Sequence, residues 1–127
     1  MLKAAVIGVG SIGQHHARVY REMDGVELVA IADANAGTAA KIGNRQNVPY
    51  YTDYQQMINE KKPDLISVCV PTSLHFKVGT DLMEQGLNIL LEKPISSTIE
   101  QGEKLVALAK EKGVVLTVGH IERFNPA

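Results

Sequence analysis

Three glycines stand at positions 8, 10 and 13, in the run Gly8-Val9-Gly10-Ser11-Ile12-Gly13. The run follows the apolar stretch Ala4-Ala5-Val6-Ile7 and opens a segment with helical spacing. Gly8 permits a tight turn, Gly10 lets the backbone approach a pyrophosphate, and Gly13 lets a helix pack closely on a strand. The free N–H groups at the start of that helix, around Ser11 and Ile12, then hold phosphate with help from its dipole. Asp33 lies 20 residues beyond Gly13, at the end of a second apolar run. A carboxylate there accepts hydrogen bonds from adenosine ribose hydroxyls. Spaced glycines alone often mark only a turn. A strand before, a helix after and an acid at this distance together make the dinucleotide fingerprint.

Asp33 also sets a cofactor preference. It would repel a 2′-phosphate, and Ala34-Asn35-Ala36 supply no cation to neutralise one. Lys41 and Arg45 lie too far along the next helical segment. NAD is therefore expected over NADP.

Other polar residues collect at the ends of apolar runs: Pro71-Thr72, Glu92-Lys93-Pro94 and His120. Lys93 is the candidate catalytic group. Pro94 stiffens the turn after the strand and restricts Lys93 to extended geometry. A Lys in a partly desolvated cleft beside a cationic nicotinamide would have a lowered pKa and could join proton transfer. A surface Lys before a turn proline is the competing reading. Glu92 should alternate to the other side of the strand. His16 shares an apolar stripe with Ile12, Val19, Tyr20 and Met23, which points to packing on the sheet. His15 faces solvent or the phosphates. His75 either faces the cleft or caps a helix. Cys69, in an apolar run, reads as a small core residue. Tyr50 and Tyr51 are expected to cover a sheet edge.

These residues need a scaffold. Strands are predicted over Leu2–Gly8, Val26–Asp33, Val48–Tyr51, Asp64–Val70, Asn88–Glu92 and Val114–Gly119. Helices are predicted over Ser11–Met23, Ala34–Gly43, Asp53–Glu60, Ser73–Gln85 and Ser97–Lys112, the last with Ser97 and Glu100 as a capping box. Gly25, Gly86 and Gly113 each fall where a left-handed helix cap is expected. Alternating strands and helices imply right-handed crossovers and a parallel sheet covered on both faces. Two successive halves give an α/β, Rossmann-type doubly wound sheet in the order 3-2-1-4-5-6.

Composition removes several alternatives. With 127 residues, 45% hydrophobic and 21% charged, the chain has the size and make-up of one globular domain. A net charge of −1 gives no electrostatic reason for a nucleic-acid or anionic-membrane partner. No apolar run approaches the ~20 residues of a membrane span. The single Cys excludes an internal disulfide, and no Cys/His spacing suits zinc. The start lacks a signal-peptide layout, so a cytoplasmic location is expected.

Taken together, Ala5-Val6-Ile7-Gly8-Val9-Gly10-Ser11-Ile12-Gly13, Pro71-Thr72-Ser73-Leu74-His75 and Glu92-Lys93-Pro94 resemble the Gfo/Idh/MocA oxidoreductase family along the whole chain. The resemblance implies a cofactor cleft lined by Pro71, Thr72, Leu74 and His75, with Glu92 and Lys93 also at the cofactor. It implies that Lys93 stands between nicotinamide and the substrate hydroxyl. It further implies hydride exchange between NAD and a sugar-type secondary alcohol. The ending Val118–Ala127 is similar to members acting on UDP-N-acetylated amino sugars, which would put Arg123 at the substrate. Residues 1–127 then make the dinucleotide-binding domain alone. The family's second domain, with its substrate pocket, catalytic histidine and homo-oligomer surface, is absent from this sequence. A stand-alone dinucleotide-binding or redox-sensing module is the alternative, which Lys93 disfavours. An NADP-linked semialdehyde or amino-acid dehydrogenase is a further one, which Asp33 disfavours.

Overall fold

The computed structural model describes residues 1–119. Six strands, β1 (Leu2–Ile7), β2 (Val26–Ala32), β3 (Tyr50–Tyr51), β4 (Leu65–Val68), β5 (Asn88–Leu91) and β6 (Leu116–Val118), form one sheet. Its order is β3-β2-β1-β4-β5-β6, and every pairing is parallel. This is the Rossmann-type order expected from the alternation of runs. The order reverses at β1, which pairs with β2 on one side and β4 on the other.

Five helices cover the sheet: α1 (Ser11–Glu22), α2 (Ala36–Gln46), α3 (Tyr54–Lys61), α4 (His75–Glu84) and α5 (Ile99–Lys112). Alternate residues of β1 feed opposite faces, as a strand buried on both sides requires. Ala4 and Val6 join Ala17 and Tyr20 of α1 and Ile42 of α2 in one core. Ala5 and Ile7 join Met57 of α3, Leu82 of α4 and Leu105 of α5 in the other. No helix among the described residues is long and apolar enough to cross a membrane.

Several boundaries differ from those read off the sequence. Helix α2 starts two residues late because Asn35 caps it, its side chain accepting from the Thr38 amide at 3.0 Å. The same helix runs past Gly43 to a left-handed Asn47. Gly43 is instead a packing position: a Cβ there would fall 2.5 Å from the Tyr50 ring. Tyr50 thus covers the β3 edge by lying on α2. The cap of α5 is also displaced by one residue from the expected Ser97–Glu100 capping box. Thr98 is the cap, extended at φ −134°, and its Oγ1 accepts from the Gln101 amide at 3.1 Å. Gln101 stands at the third helical position, whose amide an N-cap side chain reaches. Glu100 pairs with Lys104 on the surface. Thr98→Ala should lower stability by about 1 kcal/mol in chemical denaturation, whereas Ser97→Ala should change it by less than about 0.5 kcal/mol. Gly113 closes α5 in the left-handed conformation, at φ 67°.

Candidate dinucleotide site

The ladder continues past the strand ends and aims the loops at one edge. Gly8 N–H donates to the Ala32 carbonyl and Cys69 N–H to the Ile7 carbonyl, each at 2.8 Å. The turn after β1 therefore lies between the ends of β2 and β4, where the sheet order reverses and a crevice must open.

The three glycines meet different constraints there. A Cβ on Gly13 would fall 1.6 Å from the Gly8 carbonyl oxygen, so α1 sits on the turn at a distance only glycine allows. Gly8 has φ 86°, and a Cβ there would lie 2.8 Å from the Cys69 carbonyl oxygen. Around Gly10 nothing of the protein lies within 4 Å of a Cβ. Packing alone does not explain glycine at that position. Gly10 is also the cap of α1 and supplies no side-chain hydrogen bond, leaving the first-turn amides for another acceptor.

Asp33 holds the neighbouring loop. One carboxylate oxygen accepts from the Val9 amide at 2.9 Å and the other from the Asn35 amide at 2.8 Å. It ties the glycine turn to the start of α2 while facing the crevice.

Two cavities share that crevice. The first, of about 440 Å³, includes Gly10, Asp33, Leu74 and Lys77 in its wall. The second, of about 280 Å³, is bounded by Gly10, Ser11, Ile12, Thr72, His75, Glu92 and Lys93, among others. Gly10, Cys69, Val70 and Pro71 belong to both. The result is two neighbouring chambers that share four wall residues beside the start of α1, with Asp33 in the wall of the first.

Residues 2–120 match the family described as an oxidoreductase family with an NAD-binding Rossmann fold. The chain belongs to the Gfo/Idh/MocA oxidoreductase family. It is 33% identical over 126 residues to UDP-N-acetylglucosamine 3-dehydrogenase of Acidithiobacillus ferrooxidans, covering 99% of this chain and 39% of that protein. The structure of that enzyme matches with a TM-score of 0.87, over 99% of this chain and 40% of the other. D-glucoside 3-dehydrogenase of Escherichia coli is 32% identical, with 97% and 36% covered. Biliverdin reductase of Synechocystis, solved with biliverdin and NADP+, is 29% identical with a TM-score of 0.86, covering 97% of this chain and 39% of that one. The chain thus spans about two fifths of the length of these relatives. It is an NAD(P)-binding Rossmann domain of the family.

Within this family domain the remaining expected site residues fall as follows. Pro71, Thr72 and Leu74 form a short 3-10 turn region between β4 and α4 at the cavity wall. His75 is buried and begins α4 instead of capping it. Its Nδ1 lies 3.0 Å from the Pro94 carbonyl oxygen, and its Nε2 lies 3.1 Å from that of Val70. The buried ring thus lies between the loop after β4 and the loop after β5. Lys93 is exposed at the second cavity, and its bond to Pro94 is cis. Arg123 and His120 lie outside the described residues.

Three readings need correction. Ile12 is 54% exposed at the cavity mouth and does not join the buried stripe of α1, because the first turn of the helix overhangs the sheet edge. Cys69 sits one residue past β4, half-buried between the two cavities, so its environment is the crevice floor as well as the core. Burial, and then the Glu92 charge, push its thiol up to about 12, which leaves it a poor nucleophile. Glu92 and Lys93 line the same cavity: β5 ends at Leu91, so strand alternation no longer separates them.

His16 is buried, as its stripe suggested, but by a polar network that apolar periodicity did not reveal. Its Nδ1 lies 2.9 Å from Ser67 Oγ, and its Nε2 lies 2.5 Å from Glu92 Oε1. Ser67 Oγ also lies 2.6 Å from the Tyr20 hydroxyl. Burial raises the Tyr20 phenol to about 12, so it stays protonated. Ser67→Ala should cost about 2–6 kcal/mol in thermal or chemical denaturation, because it strands two buried polar partners at ~1–3 kcal/mol each. An unchanged midpoint would show that the network contributes nothing net.

Lys77 was not singled out by sequence, yet α4 carries it to the same cavity as Asp33. Its position two residues after His75, on the first turn of a helix at the strand ends, was the available sign.

Proposed function

We propose that residues 1–127 form the dinucleotide-binding domain of an NAD-dependent dehydrogenase acting on a sugar or UDP-sugar secondary alcohol. The observation that carries this reading is the adjacent pair of cavities at the uncapped start of α1, with open space around Gly10. Asp33 would hold the adenosine ribose, the amides around Ser11 and Ile12 the pyrophosphate, and the second cavity the nicotinamide. When bound, the dinucleotide supplies the hydride acceptor or donor. Pro71, Thr72, Leu74 and His75 shape the wall against which it lies.

Lys93 is the catalytic group of this chain and meets the substrate. Its ammonium donates to the substrate hydroxyl oxygen and stabilises the negative charge that develops there as the proton leaves. NAD is favoured over NADP because the Asp33 carboxylate faces the first cavity. The sugar class follows from the activities named for the Acidithiobacillus and Escherichia relatives. A catalytic base, most of the substrate pocket and a homo-oligomer surface would involve the part of the relatives' length that this chain does not match, whereas Arg123 would reach the substrate from this chain. A cytoplasmic setting, where Cys69 stays reduced, completes the reading.

Calorimetric titration of the 127-residue chain with NAD+ should give saturable 1:1 binding. Mixed with NAD+ and UDP-N-acetylglucosamine, the chain should produce no NADH absorbance. Absence of NAD+ binding would overturn the cofactor reading; sugar turnover by this chain alone would overturn the division of labour.

A further inference from the structure

Tyr54 opens α3, and among the described residues it is the one aromatic side chain in the wall of the first cavity. The wall around it is mostly apolar, with Ala34, Leu74 and Val78. The ring is half-buried and packs against the core of Met57, Val78 and Leu82. Its hydroxyl donates to Asp81 Oδ2 of α4 at 2.5 Å. Asp81 is not itself part of the cavity wall. Its other carboxylate oxygen accepts from the Gln85 side-chain amide at 3.3 Å. The side-chain amides of Gln85 and Gln55 pair in both directions at 2.9 Å. A polar cluster thus runs along the seam of α3 and α4, and one end of it holds the ring at the cavity. Burial, followed by the hydrogen bond and charge of Asp81, raises the phenol to about 12, so it keeps its proton and stays the donor.

We propose that Tyr54 is the base-binding residue of the first cavity and that Asp81, from outside that cavity, positions it by holding its hydroxyl. The inference rests on the dinucleotide reading above and assigns the adenine end of the ligand to the seam of α3 and α4. Asp33 stands in the same wall, so the base attached to a ribose bound there lies in the first cavity. An aromatic side chain gives a flat base a stacking partner. A ring fixed in advance loses less rotamer freedom when the base arrives. Asp81 touches no ligand and is a positioning residue.

The test measures Kd values of the 127-residue chain for NAD+ and for ADP-ribose, which carries the base but no nicotinamide. Tyr54→Leu removes the ring while keeping an apolar side chain on the core. It should weaken both ligands by about tenfold or more. Tyr54→Phe keeps the ring and loses only its anchor, and Asp81→Ala removes the same anchor from the other side. Each should weaken both ligands by about three- to tenfold, the ordering cost of one side chain. Combining these two should add nothing further, because both break one bond. Asp81→Asn keeps an acceptor for the hydroxyl and should bind within about twofold of the unaltered chain, which separates placement of the ring from the charge of Asp81. Unchanged ADP-ribose affinity in Tyr54→Leu would overturn the assignment of the base. Additive losses in the Tyr54→Phe/Asp81→Ala pair, or an Asp81→Asn as weak as Asp81→Ala, would overturn the positioning role. Failure of the unaltered chain to bind ADP-ribose would overturn the dinucleotide reading itself, and this inference with it.

Discussion

Gly10→Ala should leave the domain folded and stop it binding NAD, whereas Gly13→Ala should unfold it. The two glycines are three residues apart in one motif, yet their surroundings differ completely. At Gly13 an added methyl would sit 1.6 Å from the Gly8 carbonyl oxygen, a backbone atom that cannot move aside without shifting the turn. Prying α1 off the sheet would loosen the core containing Val6, Ala17 and Tyr20. A cost of about 3–5 kcal/mol is expected, close to the whole stability of a marginal domain. At Gly10 no protein atom lies within 4 Å of the added methyl. Its cost in stability should be below about 1 kcal/mol. The methyl would instead occupy the approach of the pyrophosphate, and NAD affinity should fall by about a hundredfold or more, equivalent to ~2.7 kcal/mol. Thermal unfolding and calorimetry on the two variants read these effects separately. Undiminished NAD binding by Gly10→Ala would remove the start of α1 as the phosphate seat.

Asp33→Ala is the second large effect, and it should appear in two measurements at once. The carboxylate accepts the Val9 and Asn35 amides. Its removal strands both donors and should lower stability by about 1–3 kcal/mol. Loss of its bonds to the ribose should weaken NAD by about 10- to 100-fold, as expected for hydrogen bonds to a charged group. NADP should be weakened far less, since the repulsion of its 2′-phosphate goes too. Lys77 lines the same cavity and offers that phosphate a cation. Adding Lys77→Met to Asp33→Ala should therefore lower the NADP affinity below that of Asp33→Ala alone, with little further effect on NAD. Competition binding with both cofactors checks this, and a retained strong NAD preference in Asp33→Ala would assign the discrimination to another residue.

The sheet order and the glycine turn were legible because local and global requirements coincide in them. Val6, Ile7, Ile66 and Val68 are apolar on both faces of their strands, which only a doubly covered parallel sheet accommodates. Element ends were less legible, since they depend on which neighbouring hydroxyl or amide reaches the first turn. Thr98 takes the cap that Ser97 could have supplied, and Asn35 delays α2. The site was legible in its fingerprint residues and hidden where it depends on contacts distant in sequence. Ser67 reads as a lapse in an apolar strand, and Glu92 as the acid before a lysine. Their meeting through His16 joins three segments spread over 76 residues. Lys77 was hidden for the same reason: only the turn of α4 brings it to the cavity of Asp33.

His75 carries a consequence for how fast and how tightly a ligand is received. Its buried ring sits between the carbonyl oxygens of Val70 and Pro94, so that the two loops meet across one packed side chain. The ordering of that wall is met during folding, before any ligand arrives. A dinucleotide entering the crevice loses less of its binding free energy to loop immobilisation. Association then follows diffusion into a ready-made slot, and weakening that packing would slow capture before it altered any contact to the ligand.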